Sequence, residues 1–289
     1  MTLKYSVELP LGQPDELMAC AIAIESAGFD ACFVTDHPYP SRTWLETGGH
    51  ATLDPFVALS FAAAATSRLR LHTNCLVPAY RNPFLAAKSI ASLDVASRGR
   101  VILGVAVGYL EAEFEGLDVP FEERARRFDT NVAAMKRAWA GYTRDNVVLP
   151  PPAQQPHPPI WVGGNSAAAM RRALAVGDGW SPFPASPRTA AAVDTAAIND
   201  VEALRRGIAR MREWSEETGR TAPLDVCFTP FSHPGHKSVV DPDAFIADAR
   251  ELAAVGVTWL AFHLPSPSVA EFADTVGAFG ASVLGRVRA

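Results

Sequence analysis

The chain lacks any apolar run long enough to cross a bilayer: its longest, roughly 55–65, falls well short of the about 20 residues a spanning helix needs. It also lacks a basic excess. Lys and Arg number 26 against 31 Asp and Glu, giving a net charge of −5 and a pI near 5.8. The positive footprint of a nucleic-acid binder is therefore missing. The four cysteines (Cys20, Cys32, Cys75, Cys227) are irregularly spaced without a C-x-x-C pair. That argues against a disulfide framework or a zinc site and for a reducing, cytoplasmic setting. His72, His233, His236 and His263 occur without H-E-x-x-H or H-x-E-H spacing and without a carboxylate cluster, so no metal site is expected. Met1 leads straight into strand-like Lys4–Leu9, which leaves no room for a signal peptide. Neither membrane nor nucleic acid is expected as a partner.

What is present is a rhythm. Short β-branched or aromatic runs alternate with alanine-rich stretches of helical period. Strands are predicted at 3–9, 30–35, 69–77, 100–107, 160–163, 179–183, 224–231 and 257–264. Helices are predicted at 14–27, 54–66, 83–97, 122–140, 166–176, 201–217, 242–255 and 268–283. Eight β-then-α units, with strands apolar on both faces, close most economically into a (β/α)8 TIM barrel. A doubly wound open sheet is the fallback, weakened because no Gly-x-Gly-x-x-Gly turn follows the first strand. The proline-rich segment 150–159 resembles a linker, but the rhythm continues across it. Residues 1–289 are accordingly read as one domain with loop insertions.

In such a barrel, function is built from the loops after the strands. Asp36-His37 closes the second strand, pairing a carboxylate with an imidazole suited to proton exchange or charge stabilisation beside a bound ring. A loop-ordering Asx turn with a surface histidine would have the same sequence. Gly163-Gly164-Asn165-Ser166 opens an alanine-rich helix. The glycines let backbone N–H groups approach a ligand, the helix N-terminus favours phosphate, and Asn165 or Ser166 suits the cap. A plain strand-to-helix turn needs less, and the Lys-Ser/Thr ending of a P-loop is absent. Trp44, Tyr80, Tyr109 and Trp180 sit on loops of the same barrel face, where they fit an apolar pocket for a flat ring, although such aromatics more often fill cores.

The stretch Gly104-Val105-Ala106-Val107-Gly108-Tyr109-Leu110-Glu111-Ala112-Glu113-Phe114-Glu115-Gly116-Leu117 resembles the segment after strand four in the bacterial luciferase-like superfamily. Its continuation Val119-Pro120-Phe121-Glu122-Glu123-Arg124-Ala125-Arg126-Arg127-Phe128-Asp129 is similar too. So are Thr35-Asp36-His37, Arg81-Asn82-Pro83 and Ile160-Trp161-Val162-Gly163-Gly164. The resemblance implies a cofactor, either FMN or the deazaflavin coenzyme F420. Asp36-His37 with Gly48-Gly49-His50-Ala51 resembles the F420-dependent branch, where the histidine lies near the reactive face of the ring. By resemblance, Asn74-Cys75 is the place of a non-prolyl cis peptide behind that ring. Asp36, Thr73, Asn74, Cys75, Gly108, Gly163, Gly164, Asn165, Trp180 and Ser181 are then expected around the cofactor. Trp44, His50, Tyr80, Tyr109 and His263 are expected around a small-molecule substrate, with Asp36 and His37 catalytic. One departure counts against a sugar phosphate: the branch's sugar-phosphate dehydrogenases carry a catalytic Glu where this chain has Tyr109, a weak acid of pKa about 10.

Three functions follow. The leading one is F420-dependent hydride transfer; the others are an FMN-dependent monooxygenase and a flavin-binding protein without turnover. A homodimer is expected through helices 54–66 and 83–97, the first of which is apolar nearly all round. His37→Ala is expected to slow turnover about 10²-fold while the melting temperature moves far less than for a core residue. An unchanged single-turnover rate with a lowered melting temperature would assign the histidine to structure instead.

Overall fold

A computed structural model describes residues 3–141, 145–232, 240–266 and 268–288. Eight parallel strands pair in chain order and close on themselves. They are β1 (Lys4–Glu8), β2 (Ala31–Val34), β3 (Arg70–Leu76), β4 (Val101–Val105), β5 (Ile160–Gly163), β6 (Gly179–Ser181), β7 (Asp225–Phe228) and β8 (Trp259–Phe262). The barrel reading holds, and the open doubly wound sheet is excluded because β1 pairs with both β2 and β8. The helices are α1 (Pro14–Ser26), α2 (Arg42–Glu46), α3 (Pro55–Ala65), α4 (Pro83–Ala96), α5 (Glu111–Gly116), α6 (Arg124–Trp139), α7 (Ala167–Val176), α8 (Pro187–Ala192), α9 (Val201–Glu217), α10 (Pro242–Val255), α11 (Val269–Phe279) and α12 (Gly285–Arg288). Among the described residues no helix is long and apolar enough to cross a membrane, and no metal-ligating cluster occurs. His233 and His236 lie outside the described residues.

Period-2 alternation decides which side chains reach the site. Val7, Cys32, Val34, Leu71, Leu103, Val162, Phe228 and Leu260 point outward and join the core under the helices. Ala31, Phe33, Ile102, Trp161, Cys227, Trp259 and Ala261 point inward and fill the barrel. His72 is buried with them, edge-on to Trp161 at 4.9 Å, with Nδ1 3.5 Å from the Ser6 hydroxyl. Burial, helped by nearby Arg70, depresses its pKa to about 3, so it is neutral.

Several boundaries differ from the sequence pattern for local reasons. Strand β6 stops at Ser181 because the Asn165 side chain captures Phe183, accepting from its N–H and donating to its carbonyl, both at 2.9 Å. The predicted 122–140 helix starts as a 3-10 turn, Phe121–Glu123, before α6. The predicted 268–283 helix runs through α11 into a π-helical stretch, Gly280–Leu284. There a Cβ on Gly280 would come within 2.6 Å of the Ala27 carbonyl oxygen. The short α2, α5 and α8 fall in stretches with no helical period in the sequence, each an insertion after a strand, at the C-terminal end of the barrel.

Close approach is most severe between β3 and β4. The Thr73 hydroxyl donates to the Gly104 carbonyl at 2.8 Å, and a Cβ on Gly104 would meet the Thr73 carbonyl oxygen at 2.1 Å. Beyond Thr73 the register shifts before Leu76, and the Asn74–Cys75 peptide bond is cis, the place expected from the resemblance. Gly104→Ala is expected to lower stability by about 3 kcal/mol through overpacking against backbone. A urea midpoint equal to wild type would show that β3 and β4 can part at no cost.

Candidate functional site

The mouth of the barrel has a floor of small side chains. A Cβ on Gly163 would come within 2.9 Å of the Cys75 sulfur and 3.4 Å of the Ala106 Cβ, so these three residues meet over the barrel core. Burial pushes the Cys75 thiol up to about 12, so it is a neutral surface and not a nucleophile. Ser181 neighbours Gly163 in register and bonds Cys227 beneath. Glycine at 163 is what lets β5 pass this close to Cys75 and Ala106, and a larger residue would push them apart.

One wall is built around His37. Its Nδ1 lies 3.3 Å from Glu113 Oε2, and the Glu113 side chain is 1% exposed. The same carboxylate accepts from the Tyr39 N–H and the Tyr80 hydroxyl, both at 3.1 Å. A buried carboxylate with three donors is satisfied, and it fixes the imidazole so that Nε2 is the nitrogen left for other partners. Around His37 stand Trp44 at 4.5 Å, His50 at 5.3 Å and Tyr109 at 6.4 Å between ring centroids. His50 Nε2 is 2.8 Å from the Thr35 hydroxyl, and the Trp44 indole donates to the Tyr109 hydroxyl. Burial and the Glu113 charge raise the pKa of both Tyr80 and Tyr109, so neither ionises near neutral pH.

The structure corrects several sequence assignments. Asp36 is not the partner of His37. Its two oxygens take the Arg81 guanidinium at 2.6 and 2.7 Å and the Val77 N–H at 3.0 Å. It ties the β2 and β3 loops together, so its role is positional. Tyr80 packs edge-on to Phe114 at 4.7 Å, with its hydroxyl committed to Glu113. Thr73 is fully buried with its hydroxyl committed to Gly104. Gly108 is packed against the Phe114 ring, which a Cβ there would meet at 2.8 Å. Trp180 has the parity of Val162 and points outward beneath Gly207, donating to the Gly164 carbonyl at 2.8 Å. Asn165 is spent on Phe183 and Ala196. The Gly164 N–H donates to the Ser181 carbonyl at 3.2 Å. The first turn of α7 presents a helix N-terminus, where Ser166 caps by accepting from the Ala169 N–H.

Two site residues were missed in the sequence. Glu113 sits in the acidic run Glu111–Glu115, which reads as solvated; its burial depends on tertiary packing that local pattern does not carry. Glu8 was legible, since alternation from Tyr5 and Val7 outward puts Ser6 and Glu8 inward at the C-terminal end of β1. Burial raises the Glu8 carboxyl to about 7, opposed by the charge of His37. Glu8, His50 and His263 line one cleft at the mouth.

With this geometry in view, comparison with known proteins is informative. The sequence profile of the luciferase-like monooxygenases matches residues 3–241. An F420-dependent glucose-6-phosphate dehydrogenase of Beutenbergia cavernae is 28% identical, the alignment covering 100% of this chain and 98% of the relative. Two solved structures share the fold. A monooxygenase from Streptomyces bottropensis superposes with TM-score 0.79 at 22% identity, covering 98% of this chain and 99% of its own. The coenzyme F420-dependent tetrahydromethanopterin reductase of Methanopyrus kandleri superposes with TM-score 0.72 at 16% identity, covering 99% and 100%.

Glu8 gives a sign-specific test. Its folded-state pKa lies above the ordinary 4.5, so the folded protein holds the proton more tightly than the unfolded chain. Its contribution to stability is complete below about pH 4.5 and is lost as pH rises through about 7. Glu8→Gln removes that loss. The Tm of the variant relative to wild type is expected to climb between about pH 5 and pH 8, and a difference that stays flat across this window would remove the shift.

Proposed function

Because the chain belongs to the luciferase-like monooxygenase family, we propose that it is a two-electron oxidoreductase dependent on coenzyme F420, acting on a small organic molecule. The observation that carries this reading is the floor of Cys75, Ala106 and Gly163 facing an imidazole fixed by a buried carboxylate, with a near-neutral Glu8 at the rim. Hydride transfer to or from carbon needs a flat ring on one side and a proton partner on the other, and these residues can provide both. The full-length likeness to an enzyme named as F420-dependent favours deazaflavin over FMN.

The residues present fit the group: a Cβ at 163 would close the floor, and the opening turn of α7 offers backbone donors for a phosphate. When bound, the deazaflavin supplies a carbon that takes or gives a hydride and does not activate oxygen. The chain does the rest. Cys75, Ala106 and Gly163 support the ring. Glu113 holds His37 in one orientation, and His37 steadies developing charge or moves a proton at Nε2. Trp44 and Tyr109 stand beside the His37 ring. The chain is read as a homodimer in which α3 and α4 meet a second copy, because Val57, Phe84 and Leu85 are 55%, 47% and 71% exposed on neighbouring helices.

Cofactor choice is checked by titrating the apo protein with F420 and with FMN and following fluorescence. F420 is expected to bind more tightly by about tenfold or more, and Gly163→Ala to weaken it by about tenfold, or about 1.4 kcal/mol. Tighter binding of FMN, with oxygen consumed by the reduced complex, would replace this reading with a flavin monooxygenase.

A further inference from the structure

Hydride chemistry leaves the substrate open, and the cleft beside Glu8 narrows it. The cleft has a volume of about 360 Å³, within the roughly 300–1,000 Å³ range of small-molecule sites. It opens among the loops after β1, β2 and β8. Its lining mixes apolar side chains, Leu9, Leu53, Leu264 and Phe272 among them, with a polar side that includes Glu8, His50 and His263. That side adjoins the His37 wall: the His50 ring is 5.3 Å from His37, and Glu8 feels the His37 charge.

Charge then excludes a class of ligand. Among the described residues lining the cleft none is Lys or Arg, and the carboxyl-bearing one is Glu8. Arg81, the guanidinium after β3, is held by Asp36 and Asp54. A phosphate or carboxylate entering here would lose its water without gaining a counter-charge and would face an acidic group. An apolar body, by contrast, gains from every surface it buries against the leucines and Phe272.

We propose that this cleft is the substrate site and that its substrate is an uncharged hydroxy or carbonyl compound with an apolar body, its oxygen seated against Glu8, His50 and His263. This rests on the hydride-transfer reading above. Glu8 can serve either oxidation state. As the acid it donates a hydrogen bond to a carbonyl oxygen; as the carboxylate it accepts one from a hydroxyl. Burial places that change at about 7, and the titratable groups around it are His37, His50 and His263. A ketone is therefore held better on the acid side of neutrality and an alcohol on the alkaline side.

The test is equilibrium binding, read by ligand-observed NMR and calorimetry, with 2-octanone, 2-octanol and glucose 6-phosphate as probes. Each is titrated into the protein with and without F420. Both uncharged probes are expected to bind more tightly than glucose 6-phosphate by about tenfold or more. Val269→Trp, which fills the cleft from the first turn of α11, is expected to weaken both by about fivefold with its melting temperature held. Wild type should prefer the ketone at about pH 6 and the alcohol at about pH 8. Glu8→Gln, whose amide both donates and accepts, should lose that reversal. Tighter binding of glucose 6-phosphate, or full affinity in the folded Val269→Trp protein, overturns the proposal. Probes that seat in the cleft of a protein unable to bind F420 would remove the deazaflavin reading and leave the substrate class standing.

Discussion

The buried carboxylate of Glu113 is the constraint on which the rest of the site depends. An ionised carboxylate taken out of water is costly unless its oxygens are filled. Here they are filled by three groups from two other loops: the Tyr39 N–H, the His37 ring and the Tyr80 hydroxyl. Satisfying one charge thus fixes the positions of the β2 loop, the turn after β3 and α5 together. Phe114, next in sequence and fully buried, pins α5 through Tyr80 and Phe121, at 4.7 and 5.3 Å. His37 inherits its orientation from this arrangement.

Three carboxyl groups at one barrel mouth are put to three uses by their surroundings. Asp36 meets a bidentate guanidinium and a backbone N–H, which makes it a strut between loops. Glu113 meets donors that are neutral apart from an imidazole, which makes it an orienting group. Glu8 has burial but no guanidinium or ammonium, so desolvation outweighs the opposing pull of His37 and its titration moves to about 7. A group that changes charge near neutrality is the one suited to give and receive protons. Of the three, that group is the one at the end of β1.

How much of this was legible follows from what each signal encodes. Strand and helix order is carried by hydrophobic period, and so the closed barrel could be read from runs such as Val101–Val105 and Trp259–Phe262. Side-chain direction is carried by parity, which would have placed Glu8 inward and Trp180 outward had it been applied strand by strand. Asn165 illustrates a different limit: its amide reads as a ligand donor in sequence, yet in three dimensions it ends β6 by pairing with Phe183. Glu113 was illegible for a third reason. Its neighbours Glu111 and Glu115 remain solvent-facing while it turns inward, and only the loops arriving from β2 and β3 distinguish the three.

Barrel closure arranges these parts across the mouth. In a ring of eight strands in chain order, β5 and β6 stand opposite β1 and β2. The donors at the start of α7 therefore lie on one side, and the Glu8 cleft between β1 and β8 on the other, with the Cys75–Ala106–Gly163 floor between them. On the proposed reading, the opening turn of α7 would hold an anionic tail and Cys75, Ala106 and Gly163 would hold the ring, leaving His37 and the cleft to the substrate. Substrate choice can then change through the β1 and β8 loops without disturbing the residues that would hold the ring. This separation lets a single fold keep one redox chemistry while its substrates vary.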